Sequence, residues 1–364
     1  MRIKYVIALT IVLAAITLYM SSPVFLNSSY GEEDNLSIYE KMEREEPLHY
    51  LVIGDSIGRG SGAETYSRRW FKQLEKEVYK KHGSKMTGSF LVQSGATSLE
   101  GLYKLQYQKV QGPIDLAFIV FGENDRKYMN ADSFGRLYES VIRKVKVQYP
   151  SAEIVTITES CLEFPDFARR IDDLSKHYQT AHIDMRPVFS NSGYRESELT
   201  ADGVHPTGQG YRLYAEAINQ ALNANLKMKK QPARSAAPLY PDSDLILASS
   251  TNEMTQKGFF FSNGYYTGAK KGSVLETSFT GTLLGVKMLR SPDGGIVDVY
   301  IDGKRSASLS TWWPFKRERI IYIADHLSPG RHTVSFKATG QKSASNKTDA
   351  SVIRIGSIIE QGHK

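Results

Sequence analysis

A single cysteine, Cys161, occurs in 364 residues, so no internal disulfide can staple this chain. Its distance from the N-terminus also excludes it as a lipoprotein attachment site, and it reads as a small residue near a strand end. No basic segment is interleaved with stacking aromatics, which argues against a nucleic-acid partner despite a formal charge of +7. That excess is scattered among acidic residues and suits weak attraction to an anionic wall polymer or membrane surface. His177 and His182 flank a helix-to-strand turn without a ligand set, and His49 merely precedes a strand, so no metal site is expected. There is no repeat at solenoid spacing, no extended low-complexity tract and no long apolar lid.

What is present begins with an N-terminal run, Tyr5 to Met20, almost wholly apolar and preceded by Arg2 and Lys4, the layout of an export signal. It is long for the apolar region of a signal and short for a membrane span, and no small-x-small cleavage site follows. Residues 1–25 are therefore expected to be either a cleaved signal peptide or a membrane anchor, with everything after them outside; this is the chain's sole expected link to a membrane. The polar, acidic residues 26–47 read as a spacer, and residues 48–226 as an α/β domain. Residues 227–240, with Pro232 and Pro238 and no apolar period, read as a linker, and residues 241–364 as a β-rich domain.

The first domain alternates strand and helix patterns. Leu51-Val52-Ile53-Gly54 is a short apolar run ending in a sharp turn, and further strand patterns fall at 89–92, 115–121, 153–157 and 182–185. Helical spacing marks 67–82, with Gly83 as its stop, and also 131–149, 165–178 and 208–223. Parallel strands need crossover connections, so this order predicts an open parallel sheet with helices on both faces. Beyond the linker, short strands at 273–279, 283–289, 297–301, 320–323 and 332–338 alternate with turn signals, Asp302-Gly303 being a strong hairpin signal. An antiparallel β-sandwich is expected there.

Chemistry collects at the ends of the predicted strands, where α/β enzymes keep their sites. Ser56, in the turn after the first strand, is the candidate nucleophile. A serine hydroxyl needs a base held by another group, and Asp202 and His205 supply both on one short loop. Acyl transfer also needs donors toward the developing oxyanion, for which the Ser56 N–H, the Gly95 N–H and the Asn124 side-chain amide are candidates. Asp55 and Asp125 read as organisers of the turns around Ser56 and Asn124, and Arg59 and Arg126 as solvated surface.

Together Gly54-Asp55-Ser56, Gly95, Gly122-x-Asn124-Asp125 and Asp202-x-x-His205, in this order over about residues 48–225, resemble the SGNH or GDSL hydrolase superfamily. The second block departs from the usual Asn-x-Gly-x-x-Gly, since Gln93 stands where Asn is usual and Ser98 where the second Gly is usual. The resemblance implies a flavodoxin-like doubly wound sheet and a Ser-His-Asp site with no metal and no cofactor. The turns of the second domain resemble galactose-binding-like or jelly-roll modules, for which Trp312, Trp313, Tyr265, Tyr266 and Phe315 are candidate sugar-stacking residues. Apart from these, no substrate-binding residue is assigned.

The resulting expectation is an exported serine esterase that removes acetyl or another small acyl group from a carbohydrate through an acyl-Ser56 intermediate. A cell-wall or capsular glycan is the candidate polymer. The alternative is an extracytoplasmic polysaccharide O-acetyltransferase using the same acyl-enzyme. A lipase or lysophospholipase and a catalytically dead glycan-binding wall protein rank below both. The oligomeric state is left open.

Overall fold

The first strand, β1 (Leu48–Gly54), buries every residue except His49, as a strand covered on both faces must. It lies in a five-stranded parallel sheet with β2 (Met86–Val92), β3 (Leu116–Val120), β4 (Glu153–Thr158) and β5 (Ala181–Asp184), in the spatial order β2-β1-β3-β4-β5. This is the flavodoxin-like order, whose direction reverses between β1 and β3 and leaves a crevice at the carboxyl ends there. The computed structural model describes residues 36–250 and 254–362. The expected signal or anchor, residues 1–25, lies outside them. Among the described residues no helix is long and apolar enough to cross a membrane.

Strand alternation divides the apolar residues between two layers. Leu51 and Ile53 of β1, with Ala117 and Ile119 of β3, pack against α3 (Ser98–Tyr107), α4 (Ala131–Gln148) and α5 (Pro165–Tyr178). Tyr50 and Val52, with Leu116, Phe118 and Val120, face α1 (Ile38–Glu43), α2 (Trp70–His82) and α8 (Gly208–Lys227). Two short helices, α6 (Met185–Ser190) and α7 (Glu196–Leu199), precede α8. Gly83 ends α2 in the left-handed region at φ 70°, a conformation that costs glycine little.

The spacer expected over residues 26–47 ends earlier than anticipated. Residues 38–43 are helical, capped by a reciprocal Ser37–Glu40 capping box, and bury Ile38, Tyr39 and Met42 against the sheet layer. The segment is too short for its period to show, and its apolar residues are hidden among glutamates. The segment expected as a linker, residues 227–240, is tied to the α/β domain. Lys230 pairs with the buried Glu153 at 2.7 Å, and the N–H groups of Leu239 and Tyr240 donate to Glu139 at 2.6 and 2.8 Å. Helix α3 likewise went unread, because Ser98-Leu99-Glu100-Gly101 disguises its start.

The β-sandwich follows. One sheet has the order β13 (Lys304–Ser310), β12 (Gly295–Ile301), β15 (Arg331–Lys342), β10 (Val274–Thr280) and β7 (Thr255–Lys257). The other has β14 (Arg317–Ala324), β11 (Leu284–Arg290), β16 (Ile353–Gln361), β9 (Tyr265–Gly268) and β8 (Phe260–Ser262), with β6 (Leu247–Ser250) also pairing β16. Asp302 and Gly303 both take positive φ, 49° and 77°, in the tight turn from β12 to β13. Strand β14 serves two cores: Ile321 and Ile323 enter the sandwich interior, whereas Ile320 and Tyr322 join the α/β layer around α3. The two halves thereby share apolar surface, and the described residues from Ser37 onward form one compact unit.

Candidate active site

The turn after β1 is held from several sides. A Cβ on Gly54 would lie 2.9 Å from the Val120 carbonyl oxygen, so only glycine lets β1 and β3 close up there. Asp55 accepts the Ile57 N–H at 2.7 Å, and the Trp70 indole donates to the Ile57 carbonyl at 3.1 Å. These contacts hold Ser56, 6% exposed, on the wall of a cleft of about 590 Å³.

His205 approaches from the loop before α8. Its Nε2 lies 3.0 Å from Ser56 Oγ and its Nδ1 lies 2.7 Å from Asp202 Oδ2. A carboxylate can only accept, so Nδ1 carries the proton toward Asp202 and Nε2 presents a lone pair to the serine. Asp202 also accepts the N–H groups of Val204 and His205 at 3.0 and 2.7 Å, which shapes the loop. The His205 hydrogen bonds pull the Asp202 carboxyl down to about 2, so it is ionised at neutral pH. Gly62 permits the approach: a Cβ there would sit 2.6 Å from the Pro206 carbonyl oxygen.

The Asn124 side-chain amide donates to Asp55 Oδ2 at 2.5 Å, which fixes its plane beside Ser56 and leaves its second N–H for another acceptor. Gly95 has φ 76°, and neither its N–H nor that of Ser56 has a protein acceptor among the described residues. The five expected residues, Ser56, Gly95, Asn124, Asp202 and His205, therefore line one cleft. Ser98, the departure in the second block, has a structural use: its N–H and hydroxyl both donate to the buried Asp125, at 2.8 and 2.5 Å.

Beneath the cleft lie three buried carboxyls, Asp55, Asp125 and Glu159. Burial pushes Asp55 up to about 6 and Asp125 to about 7, while burial and the Asp55 charge push Glu159 well above the carboxylate range. Arg126, read as solvated, is bound to Glu123 at 2.5 Å, and Arg59 stays exposed. His49 is exposed, His177 Nε2 donates to the Ala237 carbonyl oxygen at 2.7 Å, and burial lowers the pKa of His182. Burial raises the Cys161 thiol, and the residue is half-buried and does not line the cleft. Of the proposed sugar-stacking aromatics, Trp313 lines the cleft and Phe315 packs edge-on against it. Trp312, Tyr265 and Tyr266 do not line it.

Of the sandwich's contribution to the cleft, Trp313 is a candidate on sequence, whereas Arg290 and Arg319 are not. Arg290, Trp313 and Arg319 form part of the cleft wall. Arg319, 2% exposed, donates to Glu100 Oε2 at 2.9 Å and to the Gly95 carbonyl oxygen at 2.7 Å. It thereby ties the sandwich to the peptide that bears a candidate oxyanion donor. The signal in the sequence is faint: Arg317-Glu318-Arg319 opens a strand, and its partners lie more than 200 residues away.

A serine in hydrogen-bond contact with an imidazole, itself bound to a carboxylate beside convergent N–H donors, defines the class of carboxylic ester hydrolases with a serine site. Residues 52–213 match the GDSL-like lipase/acylhydrolase family. Two solved structures of a two-domain esterase (CEX) active on acetylated mannans, one co-crystallised with mannopentaose, superpose with TM-scores of 0.69 and 0.68. Each is 18% identical and is matched over 89% of this chain and 94% of its own, so the likeness extends to both halves of the fold. A curated relative, the A type blood N-acetyl-alpha-D-galactosamine deacetylase of Flavonifractor plautii, is 25% identical over 136 residues. That match takes in 36% of this chain and 18% of the relative, so this chain spans under a fifth of the relative's length.

Proposed function

We propose that the protein is an exported serine esterase that removes acetyl or another small acyl group from a carbohydrate. The hydrogen-bond chain Ser56–His205–Asp202 carries this reading. Ser56 Oγ attacks the ester carbonyl while His205 Nε2 takes its proton, and the ionised Asp202 balances the imidazolium. The oxyanion rests on the Ser56 and Gly95 N–H groups and the free N–H of Asn124. His205 returns its proton to the departing sugar oxygen, leaving an acyl-Ser56 ester. Water, deprotonated by the same imidazole, then releases the acid and restores the serine.

The carbohydrate substrate is supported by the names of the proteins this chain resembles, an esterase active on acetylated mannans and a deacetylase of an N-acetylated sugar. Export is supported by the apolar run behind Arg2 and Lys4. The deciding experiment follows free acetate and acetyl-glycan from acetylated oligosaccharides, with and without added glycan acceptor. Acetate release that disappears in Ser56→Ala is expected. Transfer to the acceptor in place of release would make the protein an acetyltransferase, and unchanged release by Ser56→Ala would refute the nucleophile.

A further inference from the structure

Arg290, the last residue of β11, is 7% exposed and lines the cleft that holds Ser56. Among the described residues its side chain makes one hydrogen bond, a long one to the Tyr128 hydroxyl at 3.4 Å, and its buried Nε has no partner. Among the described residues no carboxylate pairs with it, although buried cations are ordinarily paired. Its cross-strand neighbour is another cation, since Arg290 lies opposite Arg317 in the β11–β14 register. Arg319 follows two residues on, on the same face, and its buried Nη1 is also unpartnered. Glu100 answers only one of these three charges.

Elsewhere the cleft offers no compensation. Glu123 is already held by Arg126 and Lys127, and Asp202 by His205. Like charges gathered in a half-dry wall repel one another and attract an anion strongly, because the local dielectric is low and water is scarce. A guanidinium with unused N–H groups is suited to a carboxylate or phosphate oxygen pair.

We propose that the glycan presented to Ser56 is anionic, and that Arg290, backed by Arg317 and Arg319, holds a carboxylate or phosphodiester of that polymer beside the ester. The inference rests on Ser56 marking the reacting centre, and it assigns the substrate class of that site. It gives the sandwich a role in specificity: the second half of the chain supplies the charge that selects the polymer.

The test uses the full chain carrying Ser56→Ala, titrated calorimetrically with trigalacturonate, a glycerol-phosphate oligomer and neutral mannotriose. At least one anionic oligomer should bind tenfold or more tightly than mannotriose, weaken as salt rises from 50 to 500 mM, and lose about tenfold on adding Arg290→Gln. Arg290→Lys, which keeps charge without the planar fork, should lose less. Whichever anionic oligomer binds better identifies carboxylate or phosphodiester. Equal binding of mannotriose, salt-independent binding, or unchanged affinity in Arg290→Gln would overturn the proposal. The salt series needs no change at Arg290, so it decides even if that variant misfolds. Turnover of an aryl acetate by the unaltered chain judges the esterase reading separately: anion binding without turnover would sink that reading and leave the anion site at Arg290, though not its role in presenting an ester.

Discussion

Arg319 donates a 2.7 Å hydrogen bond to the carbonyl oxygen of Gly95, a residue 224 positions earlier in the chain. The guanidinium is simultaneously paired with Glu100, and both side chains are 2% exposed. One buried ion pair thus joins the β-sandwich to the loop that bears a candidate oxyanion donor. Much of what can be tested about this protein follows from that joint.

Removing one partner leaves the other charge buried and alone, which costs roughly 3–5 kcal/mol. Arg319→Ala should therefore lower the urea midpoint substantially and reduce kcat for an aryl acetate. Replacing both partners, Arg319→Met with Glu100→Leu, should recover most of the stability, since apolar side chains of similar size carry no desolvation cost. It should not recover kcat, because the Gly95 carbonyl has lost its donor. Full activity in the double variant would show that the joint does not position the Gly95 loop.

Asp202 both shapes the His205 loop and selects the imidazole tautomer. Asparagine at this position can keep an acceptor for the loop N–H groups, but its amide can also donate to Nδ1 and turn the ring's proton toward Ser56. Asp202→Asn should lower kcat by about 10²–10⁴-fold with little change in KM. A loss confined to KM would assign Asp202 to substrate binding.

The Asn124 amide is braced by Asp55 before any substrate arrives. Deleting one such preorganised donor ordinarily costs about 10²–10³ in kcat. Asn124→Ala should fall in that range on aryl acetate, with thermal unfolding showing that the chain still folds. A kcat within a factor of about three of the parent would remove Asn124 from the oxyanion site.

Asp55 and Asp125 have their pKa values raised to about 6 and about 7 by burial, so the folded chain binds their protons more tightly than the unfolded chain. Their contribution to stability is full below the ordinary carboxylate value of 3.8 and is lost as pH rises through 6 and 7. Asp202, lowered to about 2, acts oppositely: its contribution is present above 3.8 and lost only in strong acid. Glu159→Gln keeps an acceptor for the Glu123 N–H while removing a carboxyl that burial itself raises well above its ordinary range. Melting temperatures between pH 4.5 and 8 should fall less steeply in Glu159→Gln than in the parent. Histidines such as His182 and His332 titrate in both chains and cancel in that comparison. Parallel curves would mean that Glu159 titrates alike in the folded and unfolded chain.

Much of the site was legible locally. Ser56, Asn124, Asp202 and His205 each sit in a short motif at a strand end or before a helix, where backbone geometry leaves few choices. Helix α1 was not legible, because six residues cannot display a period and Ile38, Tyr39 and Met42 show their purpose only once a sheet lies beneath them. Ser98 looked like a departure from the pattern. Its hydroxyl acquires a reason from Asp125, a residue on a different strand's loop.

By itself the sequence determined the strand-and-helix alternation of the first domain and the β character of the second, the turn chemistry at Gly54, Gly83 and Asp302-Gly303, and which few side chains could react. Those are properties of neighbours within a few residues, where sterics and periodicity act directly. Only the tertiary structure decided that Arg290, Arg319 and Trp313 would meet Ser56 across the crevice. The physical reason is that a charged side chain in a strand looks solvent-bound in sequence. Its burial, and the partner it gains or lacks, depend on how two separately cored halves of the chain come to share one apolar surface.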